Sequence, residues 1–334
     1  MAELNGINTE NMSAAIRAKI YSGILRTQLE PELTAMNYVD MITSFPDGNS
    51  WEEVEIGNGS VHDYKEGDAI TYDGIDIGTR EFEINNYKYS GHYVTDKFVQ
   101  DSYLSGQITS KIPAIQARAL MSDLEAKIWA LQSKVQNTEN GFENNTVDGY
   151  HLRFAAGRVD GVEDAAGTIT PEDVSYAITA LDDLGYTGPK VMIVPTYQQH
   201  LIPKKCLSAA LSHNKSWEGI VREGAMSGTK FAFNIMGVDV YTSSFLPKIS
   251  ETLKDHEGAA QRVLTDAYPA LVFANMPERR PFRMAWRKMP KFEGKWNMDF
   301  QREEFVTVCR YGLGVGDSKN LVVIGCSGPK TKIA

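Results

Sequence analysis

The chain has 334 residues, 42% hydrophobic and 23% charged, the composition of a folded protein with length for one large or two ordinary domains. Its 43 acidic and 34 basic residues leave a formal net charge of −9, which argues against a main face built to grip nucleic acid but not against a local basic surface. Three scattered cysteines, Cys206, Cys309 and Cys326, form no disulfide framework or paired zinc motif and fit a reducing compartment, and no stretch approaches a membrane span.

The N-terminus lacks a basic region leading into an apolar run, so no secretion signal is expected. From about Ser13 to Leu33, Ile16, Ile20, Ile24 and Leu25 fall on one face of a helix, which Pro31 ends or kinks. Asn37 to Phe45 reads as extended, and Phe45-Pro46-Asp47-Gly48 as a turn. One amphipathic helix without a partner reads as an arm, or equally as the first layer of a compact domain.

Between Ser50 and Asp96 the pattern alternates with period two in short pieces: Ile75 and Ile77, Phe82 and Ile84, then Tyr87, Tyr89 and Tyr93. Asp73-Gly74 and Gly78 punctuate it, so a long hairpin or meander is expected. The remaining positions are strongly acidic. A two-stranded ribbon is marginal alone in water, so it must lie on its own domain or on a neighbouring copy.

Thr95 is placed to cap a short helix through Phe98 and Val99. The strongest helical pattern follows, with Ile108, Ile112, Ile115, Leu124, Ile128 and Leu131 at near-helical spacing and Pro113 expected in the first turn or at a kink. Residues 137–168 are rich in Asn, Gly and Asp and read as a long connection and domain boundary. Thr170-Pro171-Glu172-Asp173 is a helix start, with Val174, Ile178 and Leu181 inward and a stop at Gly185. A buried strand from Val191 to Val194, a helix through Tyr197 and Leu201, and a loop from Trp217 to Gly228 come next. Strands are expected over Lys230–Tyr241 with a turn or bulge at Gly237, and over Leu264–Phe273. Phe282, Met284, Trp286, Trp296, Met298, Phe300 and Phe305 alternate in an antiparallel pair that turns at Gly294, and Leu321–Ile324 gives a last strand.

Catalytic motifs with a mechanism behind them are missing: no phosphate-binding loop, zinc-helix motif, nucleophile elbow or calcium loop occurs. Gly312-Leu313-Gly314-Val315-Gly316 imitates a glycine-rich loop but reads as a turn among strands, and Ser212-His213-Asn214-Lys215 matches a serine–lysine pattern at chance spacing. The hairpin carboxylates would suffice for a glycosidase pair, yet their even spread favours a solvated or interfacial face. The expectation is a protein without catalytic, metal-binding or cofactor-binding residues.

What remains is a separation of charge. The hairpin carries Trp51, Glu52, Glu53, Glu55, Asp63, Tyr64, Glu66, Asp68, Tyr72, Glu81, Phe82 and Glu83, and the late strands carry Arg279, Arg280, Arg283, Arg287, Lys288 and Lys291. Within one subunit these groups would neutralise each other; between subunits they would make a head-to-tail contact of the kind that generates rings and lattices. In the second case the field sets register and on-rate, and burial of the hairpin aromatics supplies affinity. Reversal of Arg279, Arg280 and Arg283 to Glu is then expected to block assembly and leave the subunit folded. The basic strands could instead face nucleic-acid phosphates.

The order of elements, with the run from Glu81-Phe82-Glu83-Ile84 to Tyr103, the run Gly188-Pro189-Lys190-Val191-Met192-Ile193-Val194-Pro195, and Met236-Gly237-Val238-Asp239-Val240-Tyr241-Thr242-Ser243-Ser244-Phe245-Leu246-Pro247, resembles the major capsid proteins of tailed bacteriophages. Arg310-Tyr311-Gly312 and Asn320 to Ile324 look like their closing strands. The resemblance covers nearly the whole chain and implies an α+β fold of the Hong Kong 97 type. It implies an N-terminal arm (1–48), an extended hairpin (49–96), a peripheral domain with a spine helix (97–150 and 277–316; helix Gln107–Gln136), and an axial α/β domain (151–276 and 317–334). It also implies hexamers and pentamers in an icosahedral shell around double-stranded DNA, assembled in the bacterial cytoplasm without a membrane. No charged helical segment stands ahead of the arm, so a separate scaffolding protein or a cleaved precursor is implied; a portal and a decoration protein are the other partners the resemblance implies. The family's lysine–asparagine cross-link is not carried over, although Lys65 lies in the hairpin. An encapsulin-type compartment shares the fold and is the alternative; a carbohydrate-active enzyme is a distant third.

Overall fold

The computed structural model describes residues 34–43, 48, 50–56, 61–67, 69–70, 72–75, 77–102, 105–134, 152–159, 162–163, 167–206, 231–254, 261–328 and 332–333. The expected helix at 13–33, the loop at 217–228 and the serine–lysine pattern at 212–215 lie outside them.

A 3-10 turn, Ala35–Tyr38, leads into strand β1 (Val39–Ile42). The hairpin is β2 (Ser50–Ile56) and β3 (Ile77–Glu83), paired antiparallel with Trp51 opposite Phe82. Strand β4 (Asn86–Thr95) follows, then α1 (Asp96–Asp101) and the long α2 (Ser105–Ala130), which tightens into a 3-10 turn over Leu131–Lys134. Thr95 is the N-cap residue of α1, as its sequence position implies, but its side chain makes no capping bond. Pro113 stands inside α2 and not in its first turn, so it removes one backbone bond from the interior.

The second half begins with β5 (Leu152–Ala155) and the short pair β6 (Arg158–Val159) and β7 (Val162–Glu163). Helix α3 (Pro171–Asp183), β8 (Lys190–Pro195) and α4 (Gln198–Cys206) come next. The strands β9 (Phe231–Ile235), β10 (Val238–Ser243), β11 (Ile249–Lys254) and β12 (Gln261–Ala274) then build a sheet. The long ribbon β13 (Phe282–Asn297) and β14 (Arg302–Val315) precedes β15 (Val322–Cys326) and β16 (Lys332–Ile333).

Two principal sheets organise these strands. One has four strands in the order β1-β13-β14-β4; the other has eight, in the order β11-β5-β15-β12-β8-β10-β9 with β16 on β12. The central strands of the larger sheet are covered on both faces, which explains their unbroken apolar runs at Val191–Val194, Ala270–Phe273 and Leu321–Ile324. On one face Val174, Ala177 and Leu181 of α3 pack with Ile202 of α4. On the other, Leu120, Leu124, Ile128 and Trp129 of α2 share a core with Ile193 and Phe273 of the large sheet and with Phe282, Met284 and Tyr311 of the small one. Helix α2 is thus the common wall between the sheets.

Its buried carboxylate is a clasp. Glu125 accepts the backbone N–H of Thr34 at 2.9 Å and the Thr34 hydroxyl at 3.2 Å, with Ser243 Oγ at 3.3 Å and Trp129 Nε1 at 3.4 Å. Beyond β12 the chain passes between the sheets twice more, over residues 275–281 and 316–321. Gly316 N donates to Pro281 O and Asp317 N to Arg280 O, at 2.7 and 3.0 Å. The buried Asn320 amide accepts from Ala274 N and donates to the carbonyls of Ala274 and Arg279.

The start of α3 follows its sequence: Thr170 caps, Pro171 takes the first position, and Thr170 and Asp173 form a capping box. Asp173 also accepts the backbone N–H of Gly157 at 2.9 Å. Burial pushes its carboxyl up to about 6 despite these hydrogen bonds. The native state therefore binds more protons than the unfolded chain between about pH 4 and 6, and this group's contribution to stability is full below that window and lost as pH rises through it. An Asp173→Asn subunit should gain stability relative to wild type as pH rises from 4 to 7, measured as the difference between their thermal midpoints; a pH-independent difference would refute this.

Several expectations are corrected. Residues 152–155, placed in a loose connection, form a wholly buried strand paired in parallel with β15. Gly294 is not a turn: the ribbon turns at residues 298–301, where Gln301 has φ 48°, and Gly294 lies opposite Phe305, whose ring a Cβ there would crowd at 3.2 Å. Gly312, Gly314 and Gly316 form no loop, since β14 runs straight through the first two. The projecting hairpin ends at Glu83, because residues 86–95, assigned to it from sequence, pair along β14. Met236 and Gly237, with φ of 51° and 83°, make the turn between β9 and β10.

Candidate functional site

Two surfaces expose more apolar area than a finished monomer needs. The first is the hairpin. Val54 and Ile77 on its strands and Val61, Tyr64, Ile70, Tyr72 and Ile75 on the connecting stretch are all exposed, Tyr72 at 90%. Glu52, Asp63, Glu66, Glu81 and Glu83 stand out among them into solvent. His62 Nε2 contacts Asp73 Oδ2 and ties the two sides of the connection. Trp51 is half-buried, and the side chains of Glu53, Glu55 and Asp68 lie outside the described residues.

The second surface is the face of the four-stranded sheet turned away from α2. The register places Tyr87, Tyr89 and Tyr93 of β4 on it, opposite Arg310, Val308 and Glu304 of β14. Lys288, Lys291, Glu293 and Lys295 of β13 fall in the same rows, opposite Arg310, Val308, Val306 and Glu304. Tyr89 is 73% exposed, and the Arg302 guanidinium lies over the Tyr93 ring at 4.5 Å. Lys291 beside Glu293, and Arg302 beside Glu304, hold both carboxyls below the usual carboxylate range. At the ribbon's far end Met298 and Phe300 are also exposed. The result is an aromatic and aliphatic floor with an excess of cations.

The sequence-selected cations divide. Lys288 and Lys291 belong to this face, and Arg287 is exposed nearby on β13. Arg279 sits at the crossing between the sheets over the Tyr186 ring. Arg280 donates to Val39 O at 2.7 Å and Arg283 pairs with Asp40 at 3.2 Å, so both secure β1 to β13. Reversing these arginines would therefore strain the subunit itself, contrary to the expectation that it stays intact. Phe82 is likewise no partner-facing aromatic: it is buried with Ile84 against Ala285 and Ile42. Sequence reasoning left Tyr87, Tyr89, Arg302 and Arg310 out of the site because only the pairing of β4 with β14, more than 200 positions apart, sets them beside Lys291.

The hairpin leaves the small sheet at the end where the open face begins. Strand β3 runs into β4 through Ile84 and Asn85, and Phe82 packs over Gly312 and Gly314, beyond the Asn86–Tyr311 pair that ends the β4 ladder. The hairpin leaves there, while the open face extends toward residues 298–301.

Residues 83–324 match the sequence profile described as phage capsid protein. The chain belongs to the phage capsid protein family.

Solved structures agree with this phage capsid protein in fold at low identity. The Mycobacterium phage Che8 structure is 16% identical, aligns over 92% of this chain and 96% of its own, and has a TM-score of 0.60. The capsid of cyanophage P-SCSP1u is 14% identical over 97% of both chains with a TM-score of 0.63. The mature capsid of bacteriophage PhiM1 is 10% identical, over 92% and 91%, also at 0.63. No curated protein sequence matches the capsid protein significantly. The α+β fold is of the Hong Kong 97 type, and the protein is a major capsid protein that self-assembles into the phage head shell, a structural component of the virion.

Proposed function

We propose that the capsid protein builds an icosahedral shell of hexamers and pentamers around the double-stranded DNA of a tailed phage. In this reading each hairpin lies on the open sheet face of the next subunit. Residues 50–83 form the projecting hairpin; β1, 86–134 and 282–315 form the peripheral domain; 152–274 and 321–333 form the axial domain. Trp51, Glu52, Glu53, Glu55, Asp63, Tyr64, Glu66, Asp68, Tyr72, Glu81 and Glu83 meet the neighbour's Tyr87, Tyr89, Lys288, Lys291, Lys295 and Arg310. One observation carries the reading: Tyr64 and Tyr72 of the hairpin connection and Tyr87 and Tyr89 of the open face are all exposed in the single subunit, so the hairpin does not cover its own subunit's complementary surface. A contact between two different patches is heterologous and closes into rings. Ion pairs exposed at its rim steer and register it, and the buried tyrosines and aliphatics hold it.

Assembly takes place in the bacterial cytoplasm, in keeping with the free, buried thiols of Cys309 and Cys326. A scaffolding protein guides it, a portal occupies one vertex, and a decoration protein binds the finished shell. The protein performs no catalysis.

Light scattering with negative-stain imaging of the purified protein tests the reading. Capsomer-sized rings or closed shells are expected; a subunit that stays monomeric in the presence of scaffold and crowding agents would overturn it.

A further inference from the structure

Two glycines within three residues of a central strand weaken it, because they add backbone entropy and offer nothing to pack. Strand β14 has this pair at Gly312 and Gly314, and neither has the positive φ that would demand glycine. What demands it is proximity. A Cβ on Gly314 would stand 2.8 Å from Phe82 Cδ2, and one on Gly312 would stand 2.6 Å from Glu83 O and 2.8 Å from Phe82 Cε1. Carbon atoms pack at ~3.5–4.0 Å. The Phe82 ring thus lies directly on the strand backbone. Ile42, Ala285 and Gly312 stand side by side in the register, so the floor is cut down to methyl size where the ring sits. Phe82 and Ile84 are the residues through which the hairpin root packs on this face.

We infer that Phe82, seated in the notch of Gly312 and Gly314, is the positioning residue that fixes the angle at which the hairpin leaves the subunit. The consequence for shell geometry rests on the hairpin contact proposed above. Seven paired residues make a lever of about 23 Å at ~3.3 Å per residue, so a 10° error at the root displaces its end by about 4 Å, close to one strand spacing. An error of that size brings the wrong residues opposite the neighbour's tyrosines.

The test uses spin labels on Val54→Cys and Tyr89→Cys in a Cys206→Ser background, with the distance distribution measured on the dissociated subunit. The parent should give one narrow distribution. Gly314→Ala should shift or broaden it by several ångströms, and adding Phe82→Leu, which shortens the side chain that the new methyl displaces, should restore it. Phe82→Leu alone, which keeps both glycines, should broaden it and so decides the matter if Gly314→Ala does not fold. An unchanged distribution in the folded variants, or a failure of the double variant to restore it, overturns the notch. The same unlabelled substitutions are then taken into assembly, with Ile324→Val as a control that loosens the distant core. Gly314→Ala should lower the yield of normally sized closed shells at least tenfold while the control leaves it intact. Normal shells from a variant with a displaced hairpin would instead overturn the proposed hairpin contact.

Discussion

Replacement of Tyr89 and Lys291 by glutamate will leave a folded subunit that does not assemble. Tyr89 is 73% exposed and the Lys291 side chain 68%, and both belong to the open face opposite the helix. Exposed substitutions of this kind cost about 0.5 kcal/mol or less, so the thermal midpoint should move by no more than about 2 °C. The interface responds quite differently. In the proposed contact the neighbour's hairpin brings the exposed Glu52, Glu66 and Glu81, and the substitutions set two further carboxylates against them while removing a ring. Like charges opposed in an interface cost several kcal/mol, and about 3 kcal/mol per contact raises the concentration needed for assembly more than a hundredfold. Light scattering as a function of concentration, beside a thermal melt, checks both halves. Normal shells at the normal concentration would show that the hairpin seats elsewhere.

The Glu125→Ala substitution should do the reverse, damaging the subunit at a distance from either surface. Glu125 is buried on α2 and holds Thr34 and Ser243, which belong to the segment before β1 and to the end of β10. Its removal leaves the Thr34 N–H and two hydroxyls without an acceptor and opens a cavity in the common wall. A cost of about 3 kcal/mol is expected, a fall of roughly 4–5 °C in the unfolding midpoint of a chain this long. Glu125→Gln retains one carbonyl oxygen and should lose about half as much. Equal, small losses in both variants would show that the clasp is incidental.

How much of this was legible beforehand depends on the range of each interaction. The start of α3 needs only Thr170, Pro171 and Asp173, neighbours in sequence, and it was read correctly. The buried strands at 191–194 and 321–324 announce themselves by unbroken apolar residues, and α2 by its spacing. Gly294 and Gly312 failed for the opposite reason: a glycine's local meaning is a turn, and only the distant Phe305 and Phe82 reveal that the missing side chain makes room for a ring. The arginines failed similarly, since β1 pairs across more than 240 positions to meet Arg280 and Arg283. The hairpin's acidity was plain, but the face proposed to receive it is assembled from three strands whose register no single stretch encodes.

The double crossing between the sheets has a further consequence. A protease that cut the backbone once between Asn275 and Arg279 would not part the two halves, because residues 316–321 still join them. The Asn320 amide would also continue to hold Ala274 on one side of the break and Arg279 on the other. Such a nicked subunit should migrate as two fragments in denaturant yet remain a single body in native buffer, a redundancy suited to a wall that holds while loaded from within.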